Sequence, residues 1–315
     1  MKLLLIFLIL VSIVSLLFYK VVNPPLKSEL LDSVQPVNNS FSVVAVGDIS
    51  CNNLISSETA CQQEATVRLA EKINPEFVLV LGDLQYDVAT LDNFNNFYDK
   101  SWGRVKSKTK PAVGNHEYAQ INAKGYYDYF NGVDQYTGSA GDRDKGYYSY
   151  QKNDWKFYVL NSNCGEAGGC GVESPQGKWL EQELTNNKSK CQIAYFHHPL
   201  FSSGLHGPVE MVKPLWQSLY KYNTDLILNG HDHLYERFSP QDPEGNIDNE
   251  KGIREFVVGT GGRNLYQVVD AMPNSEVKIA NKFGVLQLDL KEDKYNWQFI
   301  SIDNQILDQG SAFCH

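Results

Sequence analysis

The 315-residue chain has no Cys-x-x-Cys pair, no excess of positive charge and no internal repeat. Each absence closes a class of function. Without paired cysteines at that spacing, a structural thiolate zinc site has no framework. With Lys and Arg totalling 28 against 37 Asp and Glu, the net charge is -9, which argues against nucleic acid as a bulk electrostatic partner. One local basic run, Lys100, Arg104, Lys106, Lys108 and Lys110, reads as a solvated helix end. Without a repeat or a second composition, a single domain is expected. The 42% hydrophobic and 21% charged content suits a globular chain rather than a disordered one.

What is present starts at the N-terminus. Met1-Lys2 precedes an uncharged apolar run from Leu3 to Phe18, followed by Tyr19-Lys20. Residues 1–22 read as a signal anchor or signal peptide, and therefore as a membrane partner through an apolar helix. No small-x-small cleavage site follows the run, so an uncleaved anchor is favoured over a cleaved signal, and no cysteine there offers a lipid attachment point. The rest of the chain is then exported: membrane-anchored with an extracytoplasmic domain, or secreted. Residues 23–40, with Pro24, Pro25 and Pro36, read as a tether, and residues 41–315 as the folded domain. Export makes disulfides plausible for the six cysteines. Many pairings are open; closeness in sequence suggests Cys51 with Cys61 and Cys164 with Cys170, leaving Cys191 for Cys314.

Along the domain, short β-branched or continuous apolar runs alternate with helical periodicity, which indicates an α/β fold. Helices are expected over Glu58 to Ile73, Leu91 to Trp102, Ser174 to Leu184 and Val209 to Tyr222, and an irregular, tyrosine-rich segment over Tyr118 to Tyr150. Its part from Tyr126 to Tyr150 would either wall a site or pack as a surface loop. The strands end alike. Phe41 to Val46 runs into Gly47-Asp48. Phe77 to Leu81 runs into Gly82-Asp83. A strand over Lys110 to Val113 meets Gly114-Asn115-His116-Glu117. Ile193 to Phe196 reaches His197-His198-Pro199, and Leu226 to Asn229 reaches Gly230-His231-Asp232-His233. Ligands collect beyond the carboxyl ends of strands in open α/β sheets, so residues far apart in the chain can converge on one crevice. The donors are carboxylate, amide and imidazole, which suits iron, zinc or manganese.

Taken in order, Gly-Asp, Gly-Asp-x-x-Tyr, Gly-Asn-His-Glu, a strand-end His and Gly-His-x-His resemble the calcineurin-like metallophosphoesterases, with the purple acid phosphatase branch the nearest match. The motifs span Gly47 to Arg237. The resemblance implies a metallophosphoesterase sandwich of two mixed β-sheets flanked by helices, with the metal site at the carboxyl ends of strands. It also makes residues 41–315 a catalytic domain. Many members carry Asp-x-His at the first motif; this chain has Asp48-Ile49-Ser50. The purple branch instead uses the tyrosine of Gly-Asp-x-x-Tyr, here Tyr86. The resemblance therefore gives Asp48, Asp83, Tyr86 and His233 to a ferric ion, with Asp83 bridging. Asn115, His197 and His231 go to a second ion of Fe(II), Zn or Mn. His116 and His206 stand where the branch keeps histidines that bind phosphate or protonate the leaving group, and His198 reads as a neighbour. The implied activity is hydrolysis of small phosphate monoesters by in-line attack of a metal-bound hydroxide. The alternatives are a phosphodiesterase acting on nucleotides or lipid head groups, and a non-catalytic surface binding protein.

Overall fold

The computed structural model describes residues 40–52 and 61–315. The expected anchor, and the tether apart from Ser40, lie outside the described residues, and among those described no helix is long and apolar enough to cross a membrane. In chain order the main elements are β1 (Phe41–Val46), α1 (Gln63–Ile73), β2 (Phe77–Leu81), β3 (Thr109–Ala112), α2 (Asn115–Tyr118) and α3 (Lys124–Asn131). Then follow β4 (Tyr148–Lys152), β5 (Trp155–Val159), α4 (Pro175–Asn186), β6 (Cys191–Tyr195), α5 (Lys213–Lys221), β7 (Leu226–Asn229) and β8 (Tyr235–Phe238). The chain closes with β9 (Arg254–Val258), β10 (Ser275–Ile279), β11 (Gly284–Leu290), β12 (Lys294–Ser301) and β13 (Ile306–Phe313).

Two mixed sheets result. One is ordered β13-β12-β11-β1-β2-β3, the other β10-β8-β9-β7-β6-β5-β4. Strand side chains alternate between faces, and that alternation builds the layers. Val43 and Ala45 of β1, Leu79 and Leu81 of β2, and Leu286 and Leu288 of β11 meet Phe157, Ile193, Leu226 and Phe256 of the other sheet in one buried core. The intervening residues face outward onto helices. Val44, Val46, Val78 and Val80 pack with Val67 and Ala70 of α1. Ala194, Ile227 and Val257 pack with Leu180 of α4 and with Leu215, Trp216 and Leu219 of α5. Because strands in the middle of both sheets are covered on two faces, they are continuous apolar runs rather than alternating ones.

Several elements differ from the sequence reading. Helix α1 begins at Gln63, after Cys61, whose left-handed φ of 60° stops a helix from running through it; the expected start at Glu58 lies outside the described residues. The helix expected over Leu91 to Trp102 starts as an α-helix at Leu91–Asn93, continues as a π-helical stretch at Phe94–Tyr98 and ends before Trp102, which opens a separate 3-10 segment at Trp102–Lys108. The tyrosine-rich segment contains α3 and opens β4. Its Tyr126, Tyr127 and Tyr129 are buried against the outer face of the first sheet, so these three belong to the core and not to a site wall. Helix α4 starts as its sequence predicts: Ser174 caps it by accepting from the Gly177 amide at 3.0 Å, with Pro175 in the first turn. All three expected disulfides, Cys51–Cys61, Cys164–Cys170 and Cys191–Cys314, are formed.

Candidate metal centre

Strands β1, β2 and β3 are mutually parallel, and so are β6 and β7, so within each sheet their carboxyl ends point the same way. The chain stops each of these strands with a tight turn. Asp48, Asp83 and His231 take left-handed φ values of 61°, 49° and 72°, a conformation Asp and His tolerate better than most residues. Gly114 must be glycine for a steric reason. A Cβ there would sit 2.2 Å from Asp83 Oδ1.

The turns bring all seven expected ligands together in two overlapping groups. In the first, the Tyr86 hydroxyl lies 2.7 Å from Asp48 Oδ1, 3.0 Å from Asp83 Oδ2 and 3.0 Å from His233 Nε2. In the second, His197 Nε2 lies 3.1 Å from Asn115 Oδ1, 3.2 Å from His231 Nδ1 and 3.2 Å from Asp83 Oδ2. Asp83 belongs to both. Asp48, Asp83, Tyr86, His197 and His233 are buried, while Asn115 and His231 are half-buried. The far nitrogens of two imidazoles are fixed by backbone carbonyls: His197 Nδ1 by Leu81 O at 2.9 Å and His233 Nδ1 by Asn264 O at 2.6 Å. That leaves Nε2 of each facing the cluster, the arrangement that orients a metal-binding histidine.

The electrostatics fit a cation. Two buried carboxylates, Asp48 and Asp83, share the cluster, and among the described residues neither forms an ion pair with Lys or Arg. Buried charges of this kind are paired or bind metal. Burial and the two neighbouring carboxylates push the Tyr86 phenol far above its ordinary value. At His197, burial opposes the charged form, but Asp83 outweighs it and the imidazole rises to about 9. His198 falls to about 3 through burial and the charge of His197.

The expected histidines around the ligands are also close. The His116 ring lies 4.2 Å from that of Tyr86, with Nδ1 2.7 Å from Asp87 O. His206 is exposed and stacks on His231 at 4.5 Å. His198 comes nearer than a mere sequence neighbour needs to: its ring is 4.4 Å from that of His231, and its Nδ1 is 2.8 Å from Ser162 Oγ. His197, His198 and His231 each offer a nitrogen, and these lie within 4.8 Å of one another.

Sequence reasoning assigned no role to several residues that shape the site. Glu117 accepts from the amides of Asp83 at 2.9 Å, Gly114 at 2.8 Å and Leu84 at 2.9 Å, bracing the β2 turn against the β3 turn. The loop after β9 closes over the first group. Tyr266 stacks on His233 at 4.0 Å, and Arg263 lies 5.1 Å over the Tyr86 ring while pairing with Asp87 at 3.0 Å. Glu117 stands inside a motif and could have been found there. Asn264 and Tyr266 follow a glycine run with no local signal of their own.

Two mixed sheets in a sandwich, with carboxylate, phenol, amide and imidazole gathered at the strand ends, define the metallophosphoesterase architecture. The calcineurin-like phosphoesterase family model matches residues 41–235, more than half of the chain, and the chain belongs to that family. Its similarity extends to the purple acid phosphatase branch. Fe(3+)-Zn(2+) purple acid phosphatase 12 of Arabidopsis thaliana is 28% identical over 185 residues, covering 53% of this chain and 38% of that protein. An uncharacterized protein of Mycobacterium tuberculosis is 26% identical over 259 residues, covering 70% of this chain and 49% of that one. The chain thus spans less than half the length of either relative. Among solved structures, purple acid phosphatase PPD1 from yellow lupin superposes with a TM-score of 0.69 at 19% identity, over 87% of this chain and 54% of that chain.

Proposed function

We propose that this chain hydrolyses phosphate monoesters at a centre of two metal ions. Asp48, Asp83, Tyr86 and His233 would hold the first ion, ferric iron, and Asp83, Asn115, His197 and His231 the second, Fe(II), Zn or Mn. The observation that carries the reading is the double role of Asp83, whose carboxylate lies 3.0 Å from the Tyr86 hydroxyl and 3.2 Å from His197. When bound, such cations neutralise phosphate charge, acidify water and lower the pKa of a liganding phenol.

The protein's own residues supply the rest. Glu117 fixes the turn that carries Asp83. Backbone carbonyls at Leu81 and Asn264 set the orientations of His197 and His233. His206 and His116, which are exposed and half-buried, would hydrogen-bond a phosphate oxygen or protonate the leaving oxygen. The three disulfides favour an oxidising, extracytoplasmic location.

The test is metal analysis with a visible absorption spectrum of the purified chain, beside Tyr86→Phe. Two metals per chain and an absorption band that is lost or shifted in the variant are expected. Two metals without a band would remove the iron–tyrosine assignment but keep the hydrolase. A chain that takes up no metal would sink the proposal and favour the non-catalytic binding role. Faster turnover of a diester than of a monoester would favour the phosphodiesterase.

A further inference from the structure

The Gly-His-x-His turn sends its two histidines into the metal cluster. The residue between them, Asp232, is fully buried and points elsewhere. Its carboxylate is the hub of the loop Ser202–Gly207. Oδ1 accepts from the His206 amide at 2.9 Å, and Oδ2 accepts from the Gly207 amide at 3.1 Å and from the Ser202 hydroxyl at 2.5 Å. The same Ser202 oxygen accepts from the Gly204 amide at 3.1 Å. The fit leaves no space, because a Cβ on Gly204 would sit 2.3 Å from Asp232 Cγ. A second carboxylate four residues on, Glu236, accepts from the Ser203 amide at 2.8 Å and from the Ser203 hydroxyl, and so anchors the other half of the loop.

The loop carries His206, whose side chain is exposed. It lies on the His231 ring, with the Tyr266 ring 5.3 Å away. An exposed imidazole on a glycine-flanked loop holds its place only if the backbone beneath it is held. We infer that Asp232 is a positioning residue: its carboxylate clamps the backbone at His206 and Gly207 and thereby holds the His206 imidazole over the second ligand group. One turn of chain thus places metal ligands at positions 231 and 233 and the substrate-facing histidine through position 232. This rests on the phosphatase reading for what His206 does there, whereas the clamp itself is independent of it.

The experiment is a double-mutant cycle in the metal-loaded chain with Asp232→Ala, His206→Ala and the pair. Asp232→Asn serves as the conservative variant that keeps one acceptor oxygen. Each is read by metal stoichiometry, by amide hydrogen exchange at 206 and 207, and by kcat/KM on an alkyl phosphate and on p-nitrophenyl phosphate. The clamp predicts fast exchange at both amides in Asp232→Ala, with two metals retained. It also predicts a loss of about 10- to 100-fold on the alkyl ester matching that of His206→Ala, with no further loss in the pair and an intermediate loss in Asp232→Asn. A smaller loss on the nitrophenyl ester, whose leaving group needs no proton, would assign His206 to leaving-group protonation. Equal losses on both esters would assign it to phosphate binding. Either pattern supports the positioning role. Unchanged exchange, losses that multiply in the pair, or metal lost from Asp232→Ala would overturn it. A wild-type chain that holds two metals but turns over no monoester sinks the phosphatase reading instead, and the exchange data still decide the clamp.

Discussion

Asp83 and Glu117 show how far single side chains carry this site. Asp83 joins the two ligand groups, and Glu117 holds the backbone on which Asp83 stands. Replacing Glu117 by Gln puts an amide NH2 where an acceptor met buried N–H donors. One donor at least is then left without a partner, at a cost of about 1–3 kcal/mol. The same change loosens the Asp83 turn, and outer-shell losses of this kind weaken metal binding by about 10- to 100-fold. Thermal unfolding and a metal titration of Glu117→Gln check both effects. A variant with wild-type Tm and metal affinity would show that the brace is dispensable.

At the scale of elements, the C-terminal strand is tied where a terminus would otherwise fray. β13 is the edge of the first sheet, and Cys314 just beyond it bonds to Cys191, the first residue of β6 in the second sheet. The bridge therefore staples one sheet to the other, and it closes 123 residues of chain. Replacing both Cys191 and Cys314 by Ser should cost about 2–4 kcal/mol of stability, seen as a lower Tm. Activity at a permissive temperature should stay near wild type, because Cys191 opens β6 whereas His197 lies beyond its far end. A loss of metal or of activity without a loss of stability would contradict this separation of staple from site.

For the whole molecule, the end of the sandwich away from the candidate metal centre carries its own pH dependence. Asp225, just before β7, accepts from the backbone amides of Gln192 at 2.7 Å and His315 at 2.8 Å. Burial nevertheless pushes its carboxyl up to about 7. The folded chain then holds this proton over a range where the unfolded chain has released it. The contribution to stability is full below the ordinary carboxylate value and is lost as pH rises toward 7, by at most about 4 kcal/mol. Asp225→Asn, which mimics the protonated acid, should gain on wild type as pH rises from 4.5 to about 7.5. Tm curves for both proteins over that range provide the check, and a constant difference between them would remove Asp225 as the cause.

Much of this protein was legible in its sequence because the signals are local. A buried parallel strand needs an unbroken apolar run, and the turn at its end needs glycine followed by a residue that tolerates left-handed φ. Both requirements are met at Asp48, Asp83 and His231, whereas Asn115, His197 and His233 were marked by standing at or just beyond the end of an apolar run. The cap at Ser174 was equally local. The tertiary structure decided what depends on residues distant in the chain. Whether Tyr126 faces a site or a core depends on the sheet it packs against. The shape of the stretch from Leu91 to Trp102 depends on burying Phe94, Tyr98 and Trp102 together. The support that Glu117, Asp232 and Tyr266 give the site comes from contacts across 26 to 34 residues of chain, from Glu117 to Asp83, from Asp232 to His206 and from Tyr266 to His233. Sequence periodicity reports which face of an element is buried. It does not report what lies opposite, and the side chains that shape a site are chosen by what lies opposite.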